Sequence, residues 1–191
     1  MGKRKRLEKK QQKIDRQIAS SYTPSIEEIS ASKKQIIIFL VCAPVVFLIA
    51  YFTLTFFFKD ALPIWYSGLA RFFLKMIGFS VAGQGKIMST PGFAIEVVNH
   101  CVGIDLMSFY LAGILSFTVA SWREKIRGIL FGIPVIVVMS FIRIVILFIV
   151  GYYSEEVFNV IHKFGAQTVM VFLVAGLWLY WLSSLEGTTE A

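Results

Sequence analysis

Three residues far apart in the sequence carry side chains with chemistry to offer: Cys101, Arg143 and His162. A thiol is a potential nucleophile, an imidazole can move a proton and a guanidinium can stabilise an anion, although read singly the cysteine also suits a buried small residue and the histidine a loop. Cys101 stands in Asn99-His100-Cys101-Val102-Gly103-Ile104-Asp105, where a polar segment gives way to a long apolar run. The unpaired N–H groups of a helix start attract a thiolate, and Gly103 permits close backbone approach. Arg143 interrupts Val137-Val138-Met139-Ser140-Phe141-Ile142-Arg143-Ile144-Val145-Ile146-Leu147. An arginine in hydrocarbon costs a few kcal/mol, so it either snorkels to the interface or faces the bundle interior with a partner. Asp105, four residues after Cys101 on the same helical face, is one candidate partner; a thiolate or a developing oxyanion is another. His162 stands immediately before the last apolar run. His100 is a competing base, but neighbours on an extended chain point opposite ways. Asn99 and Glu96 are candidates to line a groove.

These residues need a membrane to position them. Of 191 residues 57% are hydrophobic and 16% charged, more apolar surface than a soluble domain of this size can bury. Of the two cysteines, Cys42 lies inside an apolar run and reads as a small core residue. No spacing resembles a zinc or iron–sulfur site, so no metal and no cofactor is expected. The formal charge is +7, and ten of the nineteen Lys and Arg fall in residues 1–34. A basic flank on a membrane protein is a topology signal, which makes nucleic acid an unlikely partner and the lipid bilayer the expected one.

The expected fold class is an all-α polytopic membrane protein with about four transmembrane helices, an interfacial amphipathic helix and a short external hairpin. Residues 1–34 form a basic cytoplasmic tail or helix, with Ser25 and Glu28 at capping-box spacing. Residues 35–183 form the membrane domain and 184–191 a short cytoplasmic tail. The first span covers 35–58, with Pro44 able to kink it; Lys33 and Lys34 hold its start in the cytoplasm. Residues 61–79 make the interfacial helix, apolar on one side with Arg71 and Lys75 on the other; a short full span is the alternative, and it would reverse everything downstream. Residues 86–90 and 93–98 alternate about the turn pair Pro91-Gly92. Further spans cover 103–122, 128–150 and 164–182. The basic turn of Arg123, Lys125 and Arg127 lies inside, and a polar loop over 152–163 lies outside. Trp178, Tyr180 and Trp181 form an aromatic belt at the cytoplasmic end.

Helical rise then sets depth. The second span descends about 20 residues, or roughly 30 Å, from Cys101. Arg143, 16 residues beyond Arg127, has climbed back roughly 24 Å. His162 precedes the last span at the outer edge. All three groups reach one level, near the external face.

In this order and spacing the residues resemble the exosortase/archaeosortase family of membrane cysteine enzymes. The pieces that carry the resemblance are Cys101-Val102-Gly103-Ile104, Ser140-Phe141-Ile142-Arg143-Ile144 and His162 before Phe164-Gly165. The family often has Ser after its cysteine, where this chain has Val102, and Asn three before its arginine, where this chain has Ser140. The chain looks like a short, minimal member. The resemblance implies a sortase-like transpeptidase, with Cys101, Arg143 and His162 as the catalytic residues. It implies partners that are membrane-anchored substrate proteins ending in a PEP-CTERM-like signal: a motif, a membrane helix and a basic tail. Asn99, Gly103, Asp105 and Ser140 are candidates to support the site or line a substrate groove. Two rival readings stay open. One is a non-catalytic assembly or transport subunit in which Arg143 makes a structural ion pair. The other is a purely hydrolytic intramembrane cysteine protease.

Overall fold

The computed structural model describes residues 26–186, with side chains from residue 33 onward except at 163, 164, 166 and 186. Contacts divide the chain into two units, the first up to Leu40 and the second from Val41; every site residue named above belongs to the second. The architecture is the expected all-α polytopic membrane fold with one small hairpin. Helix α1 runs Ile26–Phe58 and continues through Pro44. Helix α2 is Ala61–Met76, and strands β1 (Ile87–Thr90) and β2 (Phe93–Glu96) follow. Helix α3 is Ile104–Ser116, α4 is Trp122–Tyr153 and α5 is Glu155–Val160. A π-helical turn over Ile161–Gly165 leads into α6, Ala166–Glu186. Among the described residues three stretches are long and apolar enough to cross a membrane: Lys33–Phe58, Trp122–Tyr153 and Gln167–Leu185.

Several boundaries differ from the sequence reading. The span expected over 103–122 is a helix of only 13 residues. Its end is set by Ser121, which caps α4: the Ser121 hydroxyl accepts from the Glu124 N–H, and the Glu124 carboxylate accepts from the Ser121 N–H. Arg123, Lys125 and Arg127 therefore lie in the opening turns of α4, not in a loop. Lys125 is buried and donates to the Leu115 carbonyl at 3.0 Å, satisfying an orphan acceptor at the end of α3. The polar loop expected over 152–163 is helical: the Ser154 hydroxyl accepts from the Val157 N–H and starts α5. The expected Ser25–Glu28 capping pair depends on Ser25, which lies outside the described residues, as do the rest of the basic tail and residues 187–191.

Two side chains also face differently than expected. Cys42 is exposed rather than a core residue, on a helix whose Val41, Val45, Leu48 and Ile49 are exposed as well; such a surface faces lipid. Trp181 is buried and donates to the Glu124 carbonyl at 3.1 Å, so of the expected belt only Tyr180 is fully exposed. Arg71, on the polar side of α2, is engaged by the hairpin. It donates to the carbonyls of Gly85 (3.2 Å) and Ile87 (2.8 Å) and ties α2 to the hairpin. The Asp60–Lys86 ion pair adds a second tie; the Lys86 hydrogen bond holds the exposed Asp60 carboxyl below its ordinary value.

The core lies where α3 packs on α4 and α6. Small residues admit large rings there. A Cβ on Gly132 would fall 2.2 Å from the Tyr110 ring, and one on Gly128 would fall 2.5 Å from the Trp181 nitrogen. The Tyr110 hydroxyl donates to the Gly128 carbonyl at 3.0 Å. Gly128 and Gly132 are four apart, the small-xxx-small pattern of packed membrane helices, here receiving aromatic side chains rather than a second backbone.

Candidate active site

The hairpin forms because Pro91-Gly92 suits a two-residue turn: Gly92 has φ 101°, open to glycine at little cost. The strands pair Ile87 with Glu96 and Thr90 with Phe93. Phe93 anchors the hairpin on α4, with its ring where a Cβ on Gly151 would be and edge-on to Phe148 and Phe158. After β2 the chain turns sharply. The N–H groups of Cys101 and Val102 donate to the Val98 carbonyl at 2.8 and 3.3 Å. Cys101 thus sits in a tight turn two residues before the cap of α3, not in the helix itself. Gly103, the cap, has φ 79°, and a Cβ there would fall 2.5 Å from the Ser140 hydroxyl. Glycine therefore lets the Cys101 turn lie directly on α4.

A cavity of about 200 Å³ opens beside this turn. Cys101 and His162 both line it, with β2 along one side and Ile144 and Leu147 of α4 on another. The Phe158 ring stacks on the His162 imidazole at 5.2 Å and 11°. His162 Nδ1 is buried without a protein partner among the described residues. Desolvation lowers the His162 pKa from its ordinary value, and the Arg143 charge lowers it further. The imidazole is then neutral at pH 7, the form that takes a proton.

Arg143 is buried, as expected of an arginine that faces the bundle interior. It does not line the cavity. Its Nη2 donates to the His100 carbonyl at 3.1 Å, one residue before Cys101, and its Nη1 donates to Gln167 Oε1 at 3.3 Å. Gln167 Nε2 donates in turn to Asp105 Oδ2 at 3.3 Å. Asp105 therefore reaches Arg143 through Gln167 and not directly. Asp105 also lies in the first turn of α3, where a carboxylate complements the helix dipole. The His100 imidazole is exposed, with Nδ1 3.5 Å from Asp105 Oδ2, turned away from the role of base. Asn99 Oδ1, Ser140 Oγ and Arg143 Nε are buried without protein partners among the described residues.

Gln167 carries no motif in the sequence, being a single amide near the start of an apolar span. Its one signal is positional: a polar residue five beyond His162, at the level where Arg143 needs an acceptor.

The fold and this arrangement define a polytopic membrane protein with a thiol and an imidazole on one cavity, and a buried arginine bonded to the turn that bears the thiol. The chain belongs to the transmembrane exosortase family: the family model described as "Transmembrane exosortase (Exosortase_EpsH)" matches residues 34–188. It is also 28% identical over 158 residues to a Methanocaldococcus jannaschii protein described as "Probable archaeosortase E", across 81% of this chain and 83% of that one. No solved structure matches. The chain is accordingly a multi-pass membrane protein of a protein-sorting family.

Proposed function

We propose that the chain is a cysteine transpeptidase or peptidase of the cytoplasmic membrane, with both termini cytoplasmic. It acts near the external face on membrane-anchored proteins that end in a motif, a membrane helix and a basic tail. The observation that carries this reading is the shared cavity of Cys101 and His162. The Cys101 thiolate attacks a peptide carbonyl, forming the S–C bond. His162 accepts the thiol proton and returns it to the departing amine as the C–N bond breaks. Arg143, buried and bonded to the His100 carbonyl beside Cys101, stabilises the thiolate or the tetrahedral oxyanion through its charge from behind the cavity wall. The thioester then passes its acyl group to an acceptor amine, or to water.

Co-expression with a protein bearing such a C-terminal signal tests this. Cys101→Ala should abolish processing while the enzyme remains inserted; continued processing would remove Cys101 as the nucleophile. Mass spectrometry of the new C-terminus separates transfer from hydrolysis. The Arg143–Gln167–Asp105 chain also supports a non-catalytic reading, in which these groups only brace α3, α4 and α6. That reading requires Cys101→Ser to be harmless.

A further inference from the structure

The hairpin turns one strand edge toward the cavity. In an antiparallel pair, residues that exchange main-chain hydrogen bonds alternate with residues that direct theirs outward. The register that sets Ile87 opposite Glu96 sets Lys86 opposite Val97, and the Val97 N–H donates to the Lys86 carbonyl at 3.0 Å. Counting along β2, Ile95 and Phe93 aim their main-chain groups at β1, whereas Ala94 and Glu96 aim theirs away. The β1 side follows the same alternation. Ser89, opposite Ala94, exchanges two outward bonds with Ala82, at 2.8 and 2.9 Å. The outer edge of β1 is thus partly covered. The outer edge of β2 is not: among the described residues no group bonds the main-chain N–H or C=O of Ala94 or Glu96. Both residues line the cavity that holds Cys101 and His162.

An open strand edge is a template for another extended chain. Ala94 and Glu96 are exposed, so these main-chain groups are accessible to an incoming chain at the mouth of the cavity. The only complement with donors and acceptors at the same spacing is an extended peptide, which presents them every second residue.

We propose that the outer edge of β2 receives the substrate as an added strand. The substrate main chain pairs with Ala94 and Glu96. One apolar substrate side chain fills the cavity among Ile95, Val97, Ile144 and Leu147, and a substrate peptide carbonyl lies at Cys101. This deepens the cysteine-enzyme reading and rests on it. Main-chain pairing supplies affinity irrespective of sequence, so discrimination falls to the side chain in the cavity.

The test uses the full-length protein in lipid nanodiscs and follows alkylation of Cys101 by mass spectrometry. The probes are a mixture of acetyl-capped tripeptide vinyl sulfones with apolar side chains, the same tripeptides with N-methylated main-chain amides, methyl vinyl sulfone and iodoacetamide. The unmethylated tripeptides should label Cys101 faster than methyl vinyl sulfone, and N-methylation should remove about tenfold of that gain, the loss of one or two hydrogen bonds. Ala94→Pro and Glu96→Pro delete only outward N–H groups and should reduce the gain to a similar degree. Ala94→Ser and Glu96→Gln, which keep the N–H, should retain it. A tripeptide no faster than methyl vinyl sulfone, or a gain indifferent to N-methylation, overturns strand addition. So does a proline variant that loses self-association while peptide labelling is unchanged, which would assign the edge to a second copy of the chain. Iodoacetamide needs no docked strand. If it fails to alkylate Cys101, the cysteine reading itself falls; if it succeeds without any peptide advantage, only strand addition falls.

Discussion

At the scale of single residues the site is a division of labour set by burial. His162 is held below its ordinary pKa of 6.5, first by desolvation and then by Arg143. In its proposed role as base His162 must be neutral, so proton acceptance should persist as pH falls through 6.5 and be lost only below it. The acid limb of kcat/KM should lie under that value, read from a pH–rate profile; an inflection above 6.5 would place another group in the role. Gln167 acts at one remove, as the spacer that lets Asp105 hold Arg143 in place. Gln167→Glu puts two carboxylates side by side and should lower kcat by about 10- to 100-fold, the scale of a misplaced catalytic group. Adding Asp105→Asn restores a donor facing an acceptor and should recover much of the loss. A double variant no better than the single one would show that Gln167 does not work through Asp105. Cys101, Arg143 and His162 could be singled out as candidates in the sequence because each is chemically conspicuous where it stands, and their joint role came from the family resemblance. Gln167 could not, since a relay is defined only by the two groups it joins.

At the scale of elements the turn between β2 and α3 carries the geometry. Gly103 combines a left-handed backbone with a close approach to Ser140. Gly103→Ala should cost about 1–3 kcal/mol from backbone strain and crowding. Ser140→Ala removes the nearest atom, so it should relieve the crowding and leave the backbone cost. A double-mutant cycle in thermal unfolding would then show favourable coupling of about 0.5 kcal/mol or more; strict additivity would mean that the two residues do not meet. The hairpin was legible through Pro91-Gly92 and the alternation around it. Helix ends were less so. The Ser121-x-x-Glu124 cap is present in the sequence, but the basic cluster of Arg123, Lys125 and Arg127 around it reads as a turn. Ser154 was likewise read as loop because Glu155 and Glu156 looked like solvent rather than a first helical turn.

At the scale of the second unit the short helix α3 packs on the long helices α4 and α6. Depth arithmetic placed three distant residues on one level; it could not supply their neighbours within the membrane plane. The structure does, through the His100–Arg143 bond and the cavity shared by Cys101 and His162. The proposed sidedness rests on the charge bias of the sequence. A reporter fused after Gly85 should score as external, and a cytoplasmic score would reverse the orientation proposed for the site.

The brevity of α3 has a consequence for the lipid around it. Its 13 residues rise about 20 Å, against roughly 30 Å of hydrocarbon. Arg143 lies ten residues short of the end of α4, so the reaction floor sits about 15 Å below that end. Only Phe109 of α3 is exposed, so in the proposed membrane position it is the bundle above this short helix that falls short of the full hydrocarbon depth, and the bilayer would thin or water would enter there. Either response would bring the aqueous phase down to the thiol, and a polar motif could reach Cys101 without leaving water while its own membrane helix stays in lipid. Turnover should therefore be faster in vesicles of short-chain phosphatidylcholine than in long-chain ones, where restoring full thickness would bury the floor.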